Sequence, residues 1–488
     1  MLYKKKIRMR ANFQEMRWAF LNATIPVKHI LVGIVCASLC FALGISAHNL
    51  FFVPPNEDNN GSNNADWSYI LATLPLENWH MFGRDIYHTA WTTHPSRVVF
   101  GLVGPLEGEV TAGPVISSNV VFLGTYNSTS GKGFVYEIDT LSLKVIASDS
   151  FDGQIPVGIV SVPIEALGIT RNLIFVETVE SEGGRAWLYW LRERVTPPGG
   201  TFDVIAKMPL PLPLAILVIR PPPADFIWYE GSLIVGAGEY LYYIDPLVVG
   251  SFGKVWVTHV DPNGYVPPLD SDDLADLGLP EGTEVINYTC DPEVKATYIR
   301  NVAVHGDKIY AIIETFQEGT ERVCFHLPFC RIYCTTIRYY SLTFELGVFD
   351  LYNGSLLWKI YICGDTAVNR PNLRAWAMFS LDPTQNVIWI PCVHMKNDYN
   401  VTVYDIELNQ TTSISVNEYG IPYAPPAIAL ENVTGRYRHL EAGTVFQVVY
   451  NADENCTYVM PLKYDRGTGI TILRTCLLYT SPSPRDRG

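Results

Sequence analysis

The sequence predicts an all-β chain, a β-propeller of four-stranded blades that follows a single N-terminal transmembrane helix. Three observations support this prediction: a strand-and-turn unit recurs along the chain, the composition suits short strands, and one long apolar segment follows a basic tail. The 488 residues include 37 Gly, 33 Pro and 28 Tyr, which is typical of strands joined by turns and unusual for long helices. Hydrophobic residues make up 48% and charged residues 17% of the chain, so a large core can be buried.

The N-terminal part predicts a membrane anchor. Seven Lys and Arg residues precede an apolar run, and this run, Ile30 to Ala47, has eighteen consecutive residues without a charge. At about 1.5 Å per residue it nearly crosses a hydrocarbon core of about 30 Å, and the basic residues place the N-terminus in the cytoplasm. Two interpretations stay open: an uncleaved signal anchor over residues 30–53, or a signal peptide cleaved near Gly44, Ser46 and Ala47. Both make the remaining chain lumenal or extracellular.

Glycosylation acceptors and cysteines indicate the same compartment. Eight Asn-x-Ser/Thr triplets follow the apolar run, against roughly three expected by chance, and we predict glycans at Asn60, Asn127, Asn287, Asn353, Asn400, Asn409, Asn432 and Asn455. In an oxidising compartment cysteines are expected to pair, and the disulfide candidates are Cys290, Cys324, Cys330, Cys334, Cys363, Cys392 and Cys456. A metal site at Cys324, Cys330 and Cys334 with His326 is the alternative, although its spacing matches no standard zinc pattern.

The predicted domain organisation follows from these segments. In chain order they are a basic cytoplasmic tail (1–29), the anchor (30–53), a linker (54–78), the propeller ectodomain (79–475) with an acidic insertion (261–296), and a tail (476–488). Cys476 to Asp486, CLLYTSPSPRD, resembles the translation of a sequencing adapter. We therefore expect the natural chain to be truncated near Thr475, and the tail is excluded from fold reasoning.

A repeated unit of roughly 50 to 60 residues indicates the propeller. Each unit has an apolar strand, a turn, an alternating strand that ends in Asp, a second turn and a further strand. Strict or near-strict alternation indicates that one face of each strand lies on a core. A degenerate copy lies around residues 174–191, and the clear copies end their alternating strands at Asp139, Asp245, Asp350, Asp405 and Asp465.

The turn chemistry explains the repeated aspartates. In FDLYNGSLLW, Asp350 can accept backbone N–H bonds across the turn, Gly354 can take a positive φ, and Trp358 can pack between neighbouring sheets. The same offsets occur in the pairs Asp465–Gly469, Asp405–Asn409 and Asp139–Leu143. Asn tolerates positive φ better than most residues, whereas Leu does not, so the Asp139 copy is expected to turn differently.

Two segments resemble a known family. FDLYNGSLLW is similar to the repeat of the pyrroloquinoline-quinone-like (quinoprotein) β-propeller superfamily. WHMFGRDIYHTAW, residues 79–91, resembles the opening segment of that family, in which Ala90 stands where Gly is usual and the matching residues are Trp79, Gly83, His88 and Thr89. The resemblance spans about residues 79 to 471. It implies four-stranded blades about a central axis, roughly seven or eight in the intact chain, of which six are visible here.

The resemblance does not extend to a cofactor site. Members of the superfamily that bind the quinone share three features. These are a pair of adjacent cysteines over the cofactor, a Trp stacked beneath it, and Glu, Asn and Asp ligands to calcium. This sequence has no adjacent Cys pair. In the acidic insertion, Asp270, Asp272 and Glu281 match three positions of a calcium loop, but Leu274 and Ala275 occupy positions that need a ligand and Gly. A short helix explains the same residues.

These observations favour a binding protein over an enzyme. The net charge of −14 excludes a nucleic-acid binder, which needs a basic surface. We predict a membrane-anchored, non-enzymatic binding or scaffold domain for unidentified protein or glycan partners, with no catalytic residue, no metal ligand and no assigned cofactor-binding residue. The alternative is a quinoprotein-like oxidoreductase with a divergent site for pyrroloquinoline quinone and calcium. A subunit of a secretory-pathway assembly is a third hypothesis.

Overall fold

The computed structural model describes residues 106–480 apart from short gaps. The predicted tail, anchor and linker, the opening segment 79–91 and Asn60 therefore lie outside the described residues, as do Asp270, Asp272, Glu281, Cys290, Cys330 and Asn455. None of the described residues belongs to a helix long and apolar enough to cross a membrane. The gaps are 118–119, 167–168, 181–184, 195–200, 212–225, 247–252, 261–276, 278–282, 288–292, 328–330, 370–372, 374, 395–397, 423–424, 431, 435–438, 452–453, 455 and 474–475.

The first three sheets each have four antiparallel strands in sequential order. Sheet 1 consists of β1 (Glu109–Ser117), β2 (Val120–Asn127), β3 (Lys132–Asp139) and β4 (Val145–Asp152). Sheet 2 consists of β5 (Gln154–Ala166), β6 (Ile169–Glu180), β7 (Arg185–Arg194) and β8 (Thr201–Pro211). Sheet 3 consists of β9 (Phe226–Tyr229), β10 (Ser232–Ala237), β11 (Tyr240–Asp245) and β12 (Gly253–His259).

The next three sheets keep this order with additions. Sheet 4 consists of β13 (Glu284–Asn287), β14 (Glu293–His305), β15 (Lys308–Leu327), β16 (Arg331–Asp350) and β17 (Leu356–Val368), where β13 and β14 both pair with β15. Sheet 5 consists of β18 (Trp376–Ala377), β19 (Ser380–Asp382), β20 (Val387–His394), β21 (Asp398–Asp405) and β22 (Gln410–Ser415). In sheet 5 the first strand is interrupted, because β18 and β19 both pair with β20.

Sheet 6 is interrupted at both edges. Its central strands are β27 (Val445–Asn451) and β28 (Cys456–Asp465). On one side, β23 (Ile421–Pro422) and β24 (Ala427–Ile428) both pair with β27. On the other side, β29 (Gly469–Ile472) and β30 (Cys476–Thr480) both pair with β28. A separate hairpin joins β25 (Val433–Thr434) to β26 (His439–Leu440). Strand β30 lies in the segment that resembles an adapter translation. An apolar segment of any origin can pair with an open strand edge. The pairing of β30 therefore does not test the adapter origin, which stays a prediction.

Each sheet packs face to face on the next through apolar side chains. Phe122 of sheet 1 and Val176 of sheet 2 share one buried cluster, and Leu346 of sheet 4 and Ile388 of sheet 5 share another. Further clusters join sheets 2, 3 and 4 and sheets 5 and 6. Fourth strands such as β8 and β22 alternate between covered and exposed residues, as outer strands do. Consecutive four-stranded sheets stacked in this way are the blades of a β-propeller, which confirms the predicted all-β class.

Candidate interaction site

The predicted aspartate turn forms where β16 passes into β17. The Asp350 carboxylate accepts hydrogen bonds from the backbone N–H groups of Tyr352 and Asn353, each at 3.0 Å. The N–H of Gly354 donates to the Asp350 carbonyl at 2.9 Å, and Gly354 takes a φ of 72°. The side chain of Asp350 therefore holds the turn, as the sequence pattern indicates.

This turn also docks on the preceding sheet. The Gly354 carbonyl accepts a hydrogen bond from Thr258 Oγ1 of β12 at 2.7 Å, and the ring of Trp256 lies against the Gly354 Cα. On the other side of sheet 4, Trp358 packs against Tyr404 of sheet 5 with ring centroids 5.2 Å apart. The unit thus joins three consecutive sheets through one turn and one Trp.

Three further copies of the turn have hydrogen bonds of the same kind, two at Asp405 and at Asp465 and one at Asp139. Their aspartates accept backbone N–H bonds as follows: Asp405 from Glu407 and Leu408, Asp465 from Gly467 and Thr468, and Asp139 from Ser142. The expectation that the Asp139 copy turns differently is wrong, because Leu143 itself takes a φ of 53°. Its N–H donates to the Asp139 carbonyl at 2.8 Å, so the turn's bonds hold Leu143 in a conformation that β-carbon sterics disfavour. The turn after Asp245 lies outside the described residues.

Sequence reasoning missed one aspartate turn. Asp382, which is fully buried, accepts the N–H groups of Thr384 and Gln385 at 2.8 and 3.3 Å, and Asn386 takes a φ of 56°. Burial raises the pKa of this carboxyl, although the hydrogen bonds from Thr384 oppose the shift. The signal is present in the sequence as Asp-Pro-Thr-Gln-Asn, with the same four-residue offset as Asp350–Gly354, but it follows a first strand instead of a third.

Polar side chains at these turns link sheets 4, 5 and 6. Arg466 donates to Asp405 at 2.7 Å and pairs with Glu407 at 2.6 Å. Glu407 accepts a bond from Asn386 Nδ2 at 2.7 Å, and the Asn386 side-chain oxygen lies 2.9 Å from His305 Nε2. Backbone N–H bonds and Arg466 together lower the pKa of Asp405 against the effect of its burial. The arrangement ties blades together and accounts for these residues structurally.

Five of the predicted glycan acceptors are at least partly exposed. Asn353, Asn409 and Asn432 are exposed, and Asn127 and Asn400 are partly exposed. Several acceptors also shape turns through the side-chain oxygen, which accepts backbone N–H groups at Asn127 and Asn353. Asn287 belongs to β13, and glycosylation at all eight acceptors stays a prediction.

Four of the predicted disulfide candidates form two disulfides in the structure. Cys324 pairs with Cys334, and Cys363 pairs with Cys392, whereas Cys456 is buried with a free thiol. Because Cys324 and Cys334 are bonded to each other, the alternative of a metal site through their thiolates is not supported. Among the described residues no group of three or more His, Cys, Asp or Glu side chains is arranged to hold a metal ion.

The first disulfide fastens a long projection of sheet 4, which we call the ribbon. It consists of residues 320–327 of β15, 331–338 of β16, and β13. Strand β17 pairs with β16 only from Phe349 to Tyr339, so the ribbon extends beyond the last residue that β17 covers. Cys324 and Cys334 stand directly opposite each other across it, and β13 pairs with β15 from 324 to 326. The ribbon is therefore a short three-stranded sheet with a covalent link.

The two faces of the ribbon differ. One face has its own small core, in which Val323, Phe325 and Ile337 are buried against Leu277. The opposite face carries the disulfide and Ile332, whose side chain is 70% exposed. Its neighbour Tyr333, near the hairpin end, is 46% exposed. A rigid projection that exposes apolar side chains is suited to contact with another molecule.

Glu137 of β3 is a buried carboxyl whose pKa is strongly raised. Burial raises the pKa of Glu137 to about 8, and the nearby charge of Glu193 adds to the shift. Glu193 accepts a bond from Asn172 Nδ2 at 2.9 Å, and Asn172 in turn accepts one from Ser117 at 2.6 Å. Glu137 is therefore largely protonated at neutral pH.

Glu137 predicts a loss of stability at alkaline pH. Its folded-state pKa is raised, so its contribution is fully present below the unfolded pKa near 4.5 and is lost as the pH rises through about 8. Between pH 5 and 9 the free energy of unfolding should fall by up to about 4 kcal/mol on this account. Glu137→Gln, which keeps the shape of the protonated acid, should remove most of that fall. Thermal melting near pH 6 and near pH 9 measures it, with Glu109→Gln at an exposed position of β1 as control. Parallel curves for wild type and Glu137→Gln would contradict it.

Comparisons with known proteins give structural likenesses alone. No family model and no curated protein matches the chain. Solved structures similar to it include Hsv2 from Kluyveromyces lactis, 8% identical over 74% of this chain and 96% of that one with a TM-score of 0.26, and the propeller of Dos1, 8% identical over 77% and 86% with a TM-score of 0.30. The WD40 domain of SCAP from fission yeast is 11% identical over 68% and 80% with a TM-score of 0.26. Because these values are low, the propeller assignment depends on the sheet order and packing of the chain itself.

Proposed function

We propose that this chain is a membrane-anchored β-propeller whose lumenal or extracellular domain binds protein or glycan partners without catalysis. The observation that carries the proposal is the ribbon, a disulfide-linked projection with its own core. A preformed and rigid surface loses little conformational freedom on binding, and binding residues are commonly presented by projections from a rigid scaffold. The likeness of FDLYNGSLLW to quinoprotein repeats concerns the scaffold and assigns no chemistry.

Two features support the lumenal or extracellular placement. The basic tail and apolar run orient the chain with its N-terminus in the cytoplasm, and two disulfides join described cysteines. Disulfides persist in oxidising compartments and are rare in the cytosol. The accessible acceptors such as Asn353 and Asn432 fit a surface that is exposed to the glycosylation machinery.

The topology is tested with the full chain in cultured eukaryotic cells. We expect removal of N-linked glycans by an endoglycosidase to increase gel mobility, and the ectodomain to be protected from protease in sealed microsomes. Asn353→Gln should remove one glycan from the ladder of partially digested forms, whereas Asn417→Gln, at an exposed Asn outside any acceptor triplet, should remove none. A chain without glycans that is digested in sealed microsomes would contradict the proposed placement.

Binding is tested by proximity labelling from the full chain. Ile332→Glu with Tyr333→Glu should remove specific partners from the labelled set, because both side chains are exposed on the ribbon. Leu408→Glu, an exposed apolar residue in the sheet 5 turn, is the matched control and should leave the set unchanged. The quinoprotein hypothesis is tested on the same purified protein: uptake of stoichiometric pyrroloquinoline quinone and calcium would overturn the non-enzymatic proposal.

A further inference from the structure

Among the described residues, the outer edge of β16 along the ribbon has no paired strand. At the end of β17, the Asn369 N–H donates to the Arg338 carbonyl at 2.7 Å, and the Arg338 N–H donates to the Asn369 side-chain oxygen at 3.2 Å. Both backbone groups of Arg338 thus point to the β17 side. Within the described part of the chain, no strand pairs with this side of β16 from 331 to 337.

The direction of the backbone groups follows from strand geometry. Residues along a strand point their N–H and C=O groups alternately to the two neighbouring strands. Since those of Arg338 point outward, those of Thr336, Cys334 and Ile332 point outward too. The ribbon therefore presents three residues that can each exchange backbone hydrogen bonds with an added strand.

The edge is held ready for pairing. The Cys324–Cys334 disulfide and the pairing of β13 with β15 fix the ribbon from its other side. Exposed strand edges readily accept a further strand, and proteins commonly cover or interrupt them. Here the edge is seven residues long (331–337), contains no Pro, and exposes Ile332 and Tyr333.

Charge indicates the kind of strand that fits. The segment Arg331–Arg338 has an Arg at each end and no acidic residue, in a chain with a net charge of −14. Arg338 already pairs with Glu318 of β15, but its side chain stays 59% exposed, so a second carboxylate can reach it. Arg322, which faces Thr336 across the ribbon, is exposed as well. Opposite charges on paired strands stabilise the pairing, and like charges oppose it. A second copy offers no acidic residue to these Arg positions, because antiparallel pairing of two such edges about Cys334 sets Arg331 of one copy opposite Ile337 of the other.

We propose that the outer edge of β16 at residues 331–337 binds an extended acidic segment of a partner protein by β-strand addition. This inference rests on the proposed binding function and names its surface and partner class. Backbone hydrogen bonds to Ile332, Cys334 and Thr336 supply affinity, and acidic side chains at the ends of the added strand select the partner through the two Arg positions.

The test uses the full glycosylated chain in detergent and two labelled peptides. One is Glu-Val-Thr-Val-Thr-Val-Thr-Glu, and the other has Lys in place of both Glu residues. Fluorescence anisotropy should show binding of the acidic peptide, with the Lys peptide at least about tenfold weaker. Hydrogen exchange read by mass spectrometry should show new protection at Ile332, Cys334 and Thr336 when the acidic peptide is present.

A matched pair of variants isolates the backbone bond. Thr336→Pro removes an outward N–H and leaves the bonds to β15 in place, since Pro is tolerated where the N–H faces away from the sheet. It should weaken the acidic peptide at least about tenfold, whereas Thr336→Val, which keeps the N–H, should bind like wild type. An unchanged melting temperature and an intact Cys324–Cys334 bond show that Thr336→Pro is folded; if it is not, Thr336 N-methylated by semisynthesis replaces it.

Three results overturn the proposal. The first is equal binding of the acidic and Lys peptides, and the second is unchanged binding to Thr336→Pro. The third is concentration-dependent dimers that Thr336→Pro abolishes while neither peptide binds, which would assign the edge to a second copy of the chain. If proximity labelling finds ribbon-dependent partners that Thr336→Pro does not affect, the binding function stands and only the edge assignment fails.

Discussion

Gly354→Ala is expected to lower the free energy of unfolding by about 2 to 4 kcal/mol. Gly354 has a φ of 72°, and a side chain in this conformation costs about 1 kcal/mol. A β-carbon would also lie 2.4 Å from Thr258 Oγ1 and 2.5 Å from the Trp256 ring. The turn must then move off β12, which lengthens the bonds from Thr258 to Gly354 and from Trp256 to Leu351, and overpacking of this kind costs about 1 to 3 kcal/mol.

Gly469→Ala is the matched control. Gly469 occupies the same position of the sheet 6 turn with a φ of 80°, but its β-carbon would meet only a methyl group of Thr412, at 3.4 Å. This variant should lose about 1 kcal/mol, the conformational part alone. Denaturant unfolding followed by Trp fluorescence measures both. Equal losses in the two variants would show that docking of the turn on Trp256 contributes nothing to stability.

Removal of the Cys363–Cys392 disulfide is expected to cost about 3 to 4 kcal/mol. The bond joins β17 of sheet 4 to β20 of sheet 5 across a sequence separation of 29, and chain entropy for a loop of this length predicts a loss of that size. Both cysteines are almost fully buried. The double variant with Ala at both positions should therefore melt at a lower temperature and show faster hydrogen exchange in β17 and β20.

The Cys324–Cys334 bond supplies the comparison for that prediction. Its sequence separation is 10, and it links paired strands within one hairpin. Replacing both of these cysteines by Ala should increase hydrogen exchange in the ribbon and change the global melting temperature less than the other double variant does. The same global shift for both double variants would contradict the view that one bond secures two sheets and the other a local projection.

The repeated turn was predictable because its chemistry is local. The offset from Asp350 to Gly354 is readable in the sequence, and the contact of Trp358 with the next sheet follows from its place in the outer strand. Leu143 and Asp382 show the limit of this reasoning. A residue that disfavours positive φ adopts it when the surrounding bonds and packing require it, and a turn in a different hairpin is overlooked when only one strand type is inspected.

The ribbon could not be predicted in the same way. Residues 317–322, Gln-Glu-Gly-Thr-Glu-Arg, interrupt the apolar alternation and are typical of a turn. In the structure β15 and β16 nevertheless stay paired through this segment without a register shift. The pairing of Cys324 with Cys334 was one of several pairings open to the cysteine candidates. Which face of the ribbon is covered depends on Leu277 and β13, which lie far away in sequence.

The direction of the turn contacts has a consequence for synthesis of the chain. In both described cases the glycine of a turn leans on the fourth strand of the preceding sheet, Gly354 on β12 and Gly469 on β22, and Arg466 likewise reaches back to Asp405. Each contact is thus made by later residues on a surface that the ribosome has already released. Each blade can therefore pack on the preceding one in the order of synthesis, before the C-terminal part of the chain has been made.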